Sequence, residues 1–222
     1  MNTAASMSTD VQGYIFDLDG TLLNTLESLA NCYNRVLLQL GHPPHPVDAY
    51  RYFIGDGARR CIERCLPTNA KSDTQVDAAL ALQQADYQAS WQHDAQPYPG
   101  IVTMLELLSQ RGLPLTVLSN KDHEFTLACV EYFFPTITFQ QIVGFSTGVP
   151  HKPDPTGAQT IAQTLDIPVA SIVFVGDTAM DMQTAITCGM TAVGVLWGFR
   201  DAAELLDAGA HHLIRQPHNL LD

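Results

Sequence analysis

An α/β fold, a doubly wound parallel sheet carrying a small inserted helical domain, is predicted by three observations. Short apolar runs alternate with segments of helical periodicity over most of the 222 residues. Three of those runs end on carboxylates or small polar residues rather than fading into ordinary loops. One stretch, from Asn24 to about Gln96, breaks the alternation: it is helical throughout and too long for a simple crossover. Alternating strands and helices imply a parallel sheet covered on both faces. The core is therefore assigned to residues 1–22 and 97–222, and the insert to residues 23–96.

The first element is the apolar run Val11 to Phe16, which stops on Asp17-Leu18-Asp19-Gly20-Thr21. Side chains alternate across a strand, so Asp17 and Asp19 project the same way as the chain leaves the sheet. Gly20 permits a tight turn, and Thr21 offers a hydroxyl and an N–H where a helical pattern begins. Leu26, Leu29, Tyr33, Val36, Leu37 and Leu40 then form a helical stripe that Gly41 and Pro43-Pro44 stop. Asp48 to Tyr98 continues as Ala- and Gln-rich helix, up to a break at Gln96-Pro97-Tyr98-Pro99-Gly100.

Beyond that break the alternation resumes. A helix, Ile101 to Arg111, precedes a strand, Leu115 to Leu118, that ends on Ser119-Asn120-Lys121. A helix from Glu124 to Phe133 leads to a strand at Gln141 to Val143. A Gly- and Pro-rich loop carries His151-Lys152-Pro153-Asp154-Pro155 into a helix, Thr156 to Leu165. Strand Ser171 to Val175 ends on Gly176-Asp177-Thr178 and feeds helix Ala179 to Cys188. Strand Thr191 to Val195 runs to Trp197-Gly198, a helix follows to about Ala208, and His212 to Ile214 makes a last short strand.

Bulk properties narrow the classes of partner. A net charge of −12 argues against nucleic acid, whose phosphates require a basic footprint, but not against a small phosphorylated ligand held at a local site. Lysine is scarce, with only Lys71, Lys121 and Lys152. Five cysteines without a CxxC pair read as reduced core residues. Met1 to Asp10 reads as a frayed polar tail without signal-peptide features, and no apolar run reaches membrane-spanning length. The expectation is a soluble cytoplasmic protein. Its oligomeric state is left open.

In open parallel sheets, ligands bind beyond the carboxyl ends of the strands. Here those ends carry Asp17 and Asp19, Ser119 and Asn120, and Asp177 with Asp181 one helical turn later. Carboxylates gathered at one edge are costly without a cation, and an oxygen-rich set suits Mg²⁺. Lys152, on a loop stiffened by Pro153 and Pro155, offers the positive charge that such a cluster and a bound phosphoryl group both need.

Taken together, Asp17-Leu18-Asp19-Gly20-Thr21, Ser119-Asn120, Lys152-Pro153 and Gly176-Asp177-Thr178-Ala179-Met180-Asp181 resemble, in order and strand context, the four motifs of the haloacid dehalogenase-like superfamily. The helical insert looks like that family's small cap. Ile54-Gly55-Asp56-Gly57, Tyr98-Pro99-Gly100, Ser119-Asn120-Lys121, Pro150 to Pro155 and Trp197-Gly198-Phe199-Arg200 make the chain most similar to the phosphoglycolate phosphatase branch. The resemblance implies Asp17 as nucleophile, forming an aspartyl-phosphate, and Asp19 as acid and base. It implies Mg²⁺ held by Asp17, the Asp19 main-chain carbonyl, Asp177 and Asp181, the last directly or through water. Phosphate would be cradled by Ser119 and by N–H groups of Asn120, Gly20 and Thr21.

Substrate choice is expected to lie in the cap. Arg59 or Arg60 meeting a substrate carboxylate is one reading, and surface ion pairs are the other; Gly55-Asp56-Gly57 is read as a loop that lowers onto the site. The expected activity is Mg²⁺-dependent hydrolysis of a small phosphate monoester, with 2-phosphoglycolate favoured. A phosphosugar mutase or a pyrophosphatase of the same superfamily is the alternative, and a receiver-like signalling module is the non-enzymatic one. Asp19, needed to protonate a leaving alkoxide, counts against a plain dehalogenase.

Overall fold

The computed structural model describes residues 10–221, so nearly all of the segment read as a frayed tail lies outside the described residues. Strand β1 (Gly13–Phe16) is followed by a two-residue strand β2 (Leu23–Asn24) and four helices: α1 (Leu26–Gln39), α2 (Tyr50–Phe53), α3 (Ala58–Cys65) and α4 (Asp73–Ser90). A second two-residue strand, β3 (Gln96–Pro97), pairs antiparallel with β2. The rest alternates: α5 (Ile101–Gln110), β4 (Leu115–Asp122), α6 (His123–Phe133), β5 (Gln141–Phe145), α7 (Thr156–Leu165), β6 (Ile172–Gly176), α8 (Ala179–Cys188), β7 (Thr191–Val195), α9 (Ala202–Asp207) and β8 (His212–Ile214).

Six strands form one parallel sheet in the order β5-β4-β1-β6-β7-β8. After β1 the chain moves to one side for β4 and β5, then crosses back to build β6 to β8 on the other. That reversal places the crevice for a ligand at the carboxyl ends of β4, β1 and β6. Period-two alternation divides the core between the sheet's faces. Tyr14, Phe16, Val173 and Val175 join one apolar cluster, whereas Ile15, Ile172 and Phe174 join the other with residues of α7 and α8.

The first cluster runs without a break into the helical segment, taking in Leu29, Tyr33, Cys61, Val76 and Tyr87. The β2–β3 pair was not expected from sequence. It ties the entry of that segment to its exit, reinforced by Tyr98 N–H donating to the Leu22 carbonyl at 3.1 Å. All five cysteines are buried and free, as expected for a core in a reduced protein. No helix among the described residues is long and apolar enough to cross a membrane.

Candidate active site

β1 ends at Phe16, and the next residue delivers a carboxylate into the crevice. Asp17 is 6% exposed, and its main-chain N–H donates to the Val175 carbonyl at 2.9 Å, which pins it to β6. Lys152 reaches it from the loop before α7. The Lys152 Nζ donates to Asp17 Oδ1 at 2.7 Å, to Asp181 Oδ1 at 2.6 Å and to the Leu118 carbonyl at 2.9 Å. That loop is held in turn by Asn120. Its Oδ1 accepts from the Lys152 N–H at 2.7 Å, and its Nδ2 donates to the Lys152 carbonyl at 3.1 Å.

Asp177 and Asp181 follow β6 and are fully buried. Asp181 sits at the third position of α8 and closes a capping box, accepting from Thr178 N–H at 3.0 Å and Thr178 Oγ1 at 2.7 Å. Asp177 accepts from Thr21 Oγ1 at 3.1 Å and from Phe199 N–H at 2.8 Å. Gly20 and Gly198 lie close against its carboxyl, where a Cβ on either would overlap it. Gly20 also has φ +90°, which only glycine adopts easily. Trp197 Nε1 donates to the Thr21 carbonyl at 3.0 Å and braces the same turn.

Oxygens of Asp17, Asp177 and Asp181 lie within 4.8 Å of one another. One ammonium cannot balance three buried carboxylates. Burial pushes Asp17 up to about 7, opposed by Lys152 and reinforced by Asp181 and Asp19. Asp177 is raised well above the usual carboxylate range by burial and by the charges of Asp17 and Asp181. Burial opposes the charge on Lys152, but its two carboxylate partners overcome that and keep it an ammonium. A hard divalent cation among these oxygens would replace the protons that the cluster otherwise holds, so the donor set fits Mg²⁺.

Asp19 stands apart from that cluster. Its Oδ1 accepts from Thr25 Oγ1 at 2.8 Å, and its Oδ2 pairs with Lys121 Nζ at 2.8 Å. Lys121 also donates to the Tyr87 hydroxyl at 2.9 Å and lies over that ring at 4.8 Å. A register shift between Leu118 and Asp122 marks an irregularity in β4, a device that re-aims side chains beside functional sites. Asp17, Asp19, Ser119, Asn120 and Lys121 face a common cavity of about 60 Å³, roofed by Leu29, Tyr33, Ile54, Ala58 and Cys61 from the helical segment.

Several expectations need correcting here. The Gly20 and Thr21 N–H groups are not free to cradle phosphate: they donate to the Leu23 and Leu18 carbonyls at 2.8 and 3.3 Å. The N–H groups of Leu18 and Asp19, by contrast, have no acceptor among the described residues. Thr21 instead positions Asp177, and the Asn120 side chain positions Lys152. Arg59 and Arg60 lie on the outer face. Arg59 pairs with Glu63, Asp73 and Asp77, Arg60 pairs with Glu63, and neither lines the cavity. Asp56 is taken by Arg64.

Gly55 and Gly57 do reach the site. Both have positive φ, +121° and +87°, and both line the cavity. The Gly55 carbonyl accepts from Asn120 Nδ2 at 2.9 Å, and Gly57 rests against the His151 ring. Arg51 donates to the Gly198 carbonyl and Arg200 to the Ile54 carbonyl, both at 2.9 Å, so these contacts too seat the helical segment on the strand ends. Arg200 is therefore not a free surface side chain. Lys121, Thr25 and Tyr87 went unassigned in the sequence. Lys121 alone left a signal there, as one of three lysines and two residues along a strand from Ser119.

A sequence model of the haloacid dehalogenase-like hydrolase family matches residues 14–195, and the chain belongs to that family. Phosphoglycolate phosphatase from Rhodobacter capsulatus is 32% identical over 200 residues, 89% of each chain. The Neisseria meningitidis serogroup A protein of the same name is 32% identical over 196 residues, 86% of this chain and 83% of its own. A crystal structure from Lactobacillus delbrueckii subsp. bulgaricus, provisionally named a phosphoglycolate phosphatase, superposes with a TM-score of 0.90 at 28% identity, covering 96% of this chain and 97% of that one. Within the family the chain is a phosphatase-type enzyme of the phosphoglycolate phosphatase-like branch.

Proposed function

We propose that this enzyme is a Mg²⁺-dependent phosphomonoesterase acting on a small phosphorylated metabolite, 2-phosphoglycolate first among them, through an aspartyl-phosphate on Asp17. One observation carries the reading: two aspartates two residues apart face one cavity in different company. Asp17 is joined to a buried lysine and a carboxylate cluster, whereas Asp19 is held clear of it by Thr25 and Lys121.

The chemistry follows from that division. An Asp17 carboxylate oxygen attacks phosphorus while Asp19 protonates the departing alkoxide, so one hard displacement becomes two easier ones. Asp19 then takes a proton from water, the water opens the acyl-phosphate, and Asp17 is regenerated with its proton balance restored. Lys152 and the Leu18 and Asp19 N–H groups face the phosphoryl oxygens, with the Ser119 hydroxyl on the other side. Asp17, Asp177 and the Asp19 carbonyl would hold Mg²⁺. Asp181, with both oxygens already accepting hydrogen bonds, is better suited to ligation through water. Bound there, the metal offsets repulsion between the anionic nucleophile and the anionic phosphate.

Residues 23–96 act as a cap, and the cavity beneath them, about 60 Å³, accords with a leaving group of few atoms. The buried reduced cysteines accord with a cytoplasmic setting. The test is a screen of phosphorylated metabolites ranked by kcat/KM, with Mg²⁺ and with excess chelator. The expected result is 2-phosphoglycolate at the top and no turnover without metal. Full activity in chelator defeats the metal reading, and a hexose phosphate at the top moves the enzyme to the mutase class.

A further inference from the structure

The proposed substrate leaves one charge without a partner. In 2-phosphoglycolate the carboxylate lies one carbon from the oxygen that leaves phosphorus. Asp19, as the group that protonates that oxygen, therefore has the carboxylate for a neighbour. That carboxylate stands beside the phosphoryl group and, once the proton has been given up, beside an anionic Asp19, so it requires a cation.

The insert's arginines do not provide it. Arg59 and Arg60 hold acids on the outer face, Arg64 holds Asp56, and Arg51 donates to the Gly198 carbonyl. Lys152 already donates to three acceptors. Lys121 remains, the one basic side chain among the described residues lining the cavity.

We infer that Lys121 is the specificity-determining residue of this site, its ammonium receiving the carboxylate of a short 2-phosphorylated hydroxy acid. The inference rests on the proposed phosphatase reading and deepens it. An ammonium has three N–H donors; two are committed, to Asp19 Oδ2 and to the Tyr87 hydroxyl, which leaves one for a ligand. The side chain is only 7% exposed, so an ion pair formed there is little screened. Gln83, one helical turn before Tyr87 on α4, is also buried in the cavity wall, and its amide N–H meets only the weak acceptor Cys32 Sγ at 3.9 Å. It supplies a neutral second donor for the same carboxylate.

The test compares 2-phosphoglycolate with 2-hydroxyethyl phosphate, in which CH₂OH replaces the carboxylate, on the native enzyme and on Lys121→Met and Lys121→Arg. Lys121 touches Asp19, so Lys121→Met slows both substrates; the ratio of their kcat/KM values cancels that common loss. The native enzyme should favour the carboxylate, Lys121→Met should reduce the ratio by roughly 30-fold or more, and Lys121→Arg should keep most of it. If Lys121→Met does not fold, Lys121→Gln and Tyr87→Phe stand in, the latter loosening the ammonium without removing it and lowering the ratio by a smaller factor. A native preference that survives in Lys121→Met or Lys121→Gln overturns this inference and leaves the substrate reading intact. A native enzyme with no preference for the carboxylate overturns both.

Discussion

The strand ends and the helical roof above them are built on different rules. At the strand ends the polar atoms of the site are matched to one another: Asp181 accepts three hydrogen bonds, Asp177 two, and Lys152 Nζ donates three. A network satisfied in that way fixes its geometry and gives up much when one member is removed. The roof touches the site through main-chain carbonyls at Ile54 and Gly55, through glycine, and through apolar side chains, with Tyr87 and Gln83 of α4 the polar exceptions. Carbonyls and methyl groups set how near a ligand lies and what size it has, but do no chemistry. Substitutions on the floor should therefore alter rate, substitutions on the inner roof selectivity, and substitutions on the outer roof little.

The sharpest break in that comparison is Asp17→Asn. It removes the nucleophile while leaving Lys152 its bonds to Asp181 and to the Leu118 carbonyl. Steady-state phosphate release should fall by about 10⁴-fold or more. Thermal melting should change little, because the lost carboxylate is one that burial disfavours. Turnover comparable to the native enzyme removes Asp17 from the mechanism.

Asn120→Ala tests the joint between floor and roof. The Asn120 side chain holds both main-chain groups of Lys152 and the Gly55 carbonyl. Its removal strands buried polar partners at a cost of about 1–3 kcal/mol, read as a lower urea midpoint. With Lys152 less firmly aimed, kcat should drop by about 10–100-fold. Loss of stability with unchanged kcat would show that the loop holds Lys152 unaided.

Most of the floor was legible in the sequence because its chemistry has no cheap alternative use. Aspartates at two strand ends and a lysine between prolines are costly features that a fold without a site does not need. The α7 and α8 boundaries and the last strand were likewise readable, since Gly and Pro punctuate clean apolar periods. Reading fell short where position depends on tertiary approach. Two-residue strands such as β2 and β3 have no periodicity to detect, and nothing local says that Gly20 and Thr21 would spend their N–H groups on their own turn. The cap arginines stayed undecided between two readings for a related reason: a cluster of basic residues on a helix reads the same whether it faces a ligand or solvent. Only the surrounding Glu63, Asp73 and Asp77 decide that here.

A smaller, graded effect should separate the metal-free floor from its loaded form. Without metal, burial raises Asp17 from the ordinary value of 3.8 to about 7. A carboxyl raised on folding favours the folded state at low pH. That contribution is complete below about pH 4, shrinks as pH climbs, and is gone above about 7. Asp177 is raised for the same reason and acts in the same direction. Mg²⁺ binds the deprotonated carboxylates and should restore what is lost, so its stabilisation grows across the same interval. Melting in chelator and in millimolar Mg²⁺ should show a larger metal-induced gain at pH 8 than at pH 5, and equal gains at the two pH values count against the assigned donors.

The smallest effect is expected on the outer roof, and it is the one that most sharpens the contrast. Arg59 and Arg60 are largely exposed and hold only exposed or half-buried acids, the kind of ion pair that solvent and salt screen to little effect. Arg59→Ala and Arg60→Ala should each leave the urea midpoint of unfolding nearly unchanged. Each should also leave kcat/KM for 2-phosphoglycolate within about twofold, because neither side chain lines the cavity. The same assays on Gly57→Ala supply the opposite arm: a Cβ there meets the His151 ring at a backbone angle that only glycine takes readily, so the inner roof must shift. A loss of carboxylate selectivity in Arg59→Ala or Arg60→Ala, with Gly57→Ala unaffected, would invert the roof and place recognition on the face now turned to solvent.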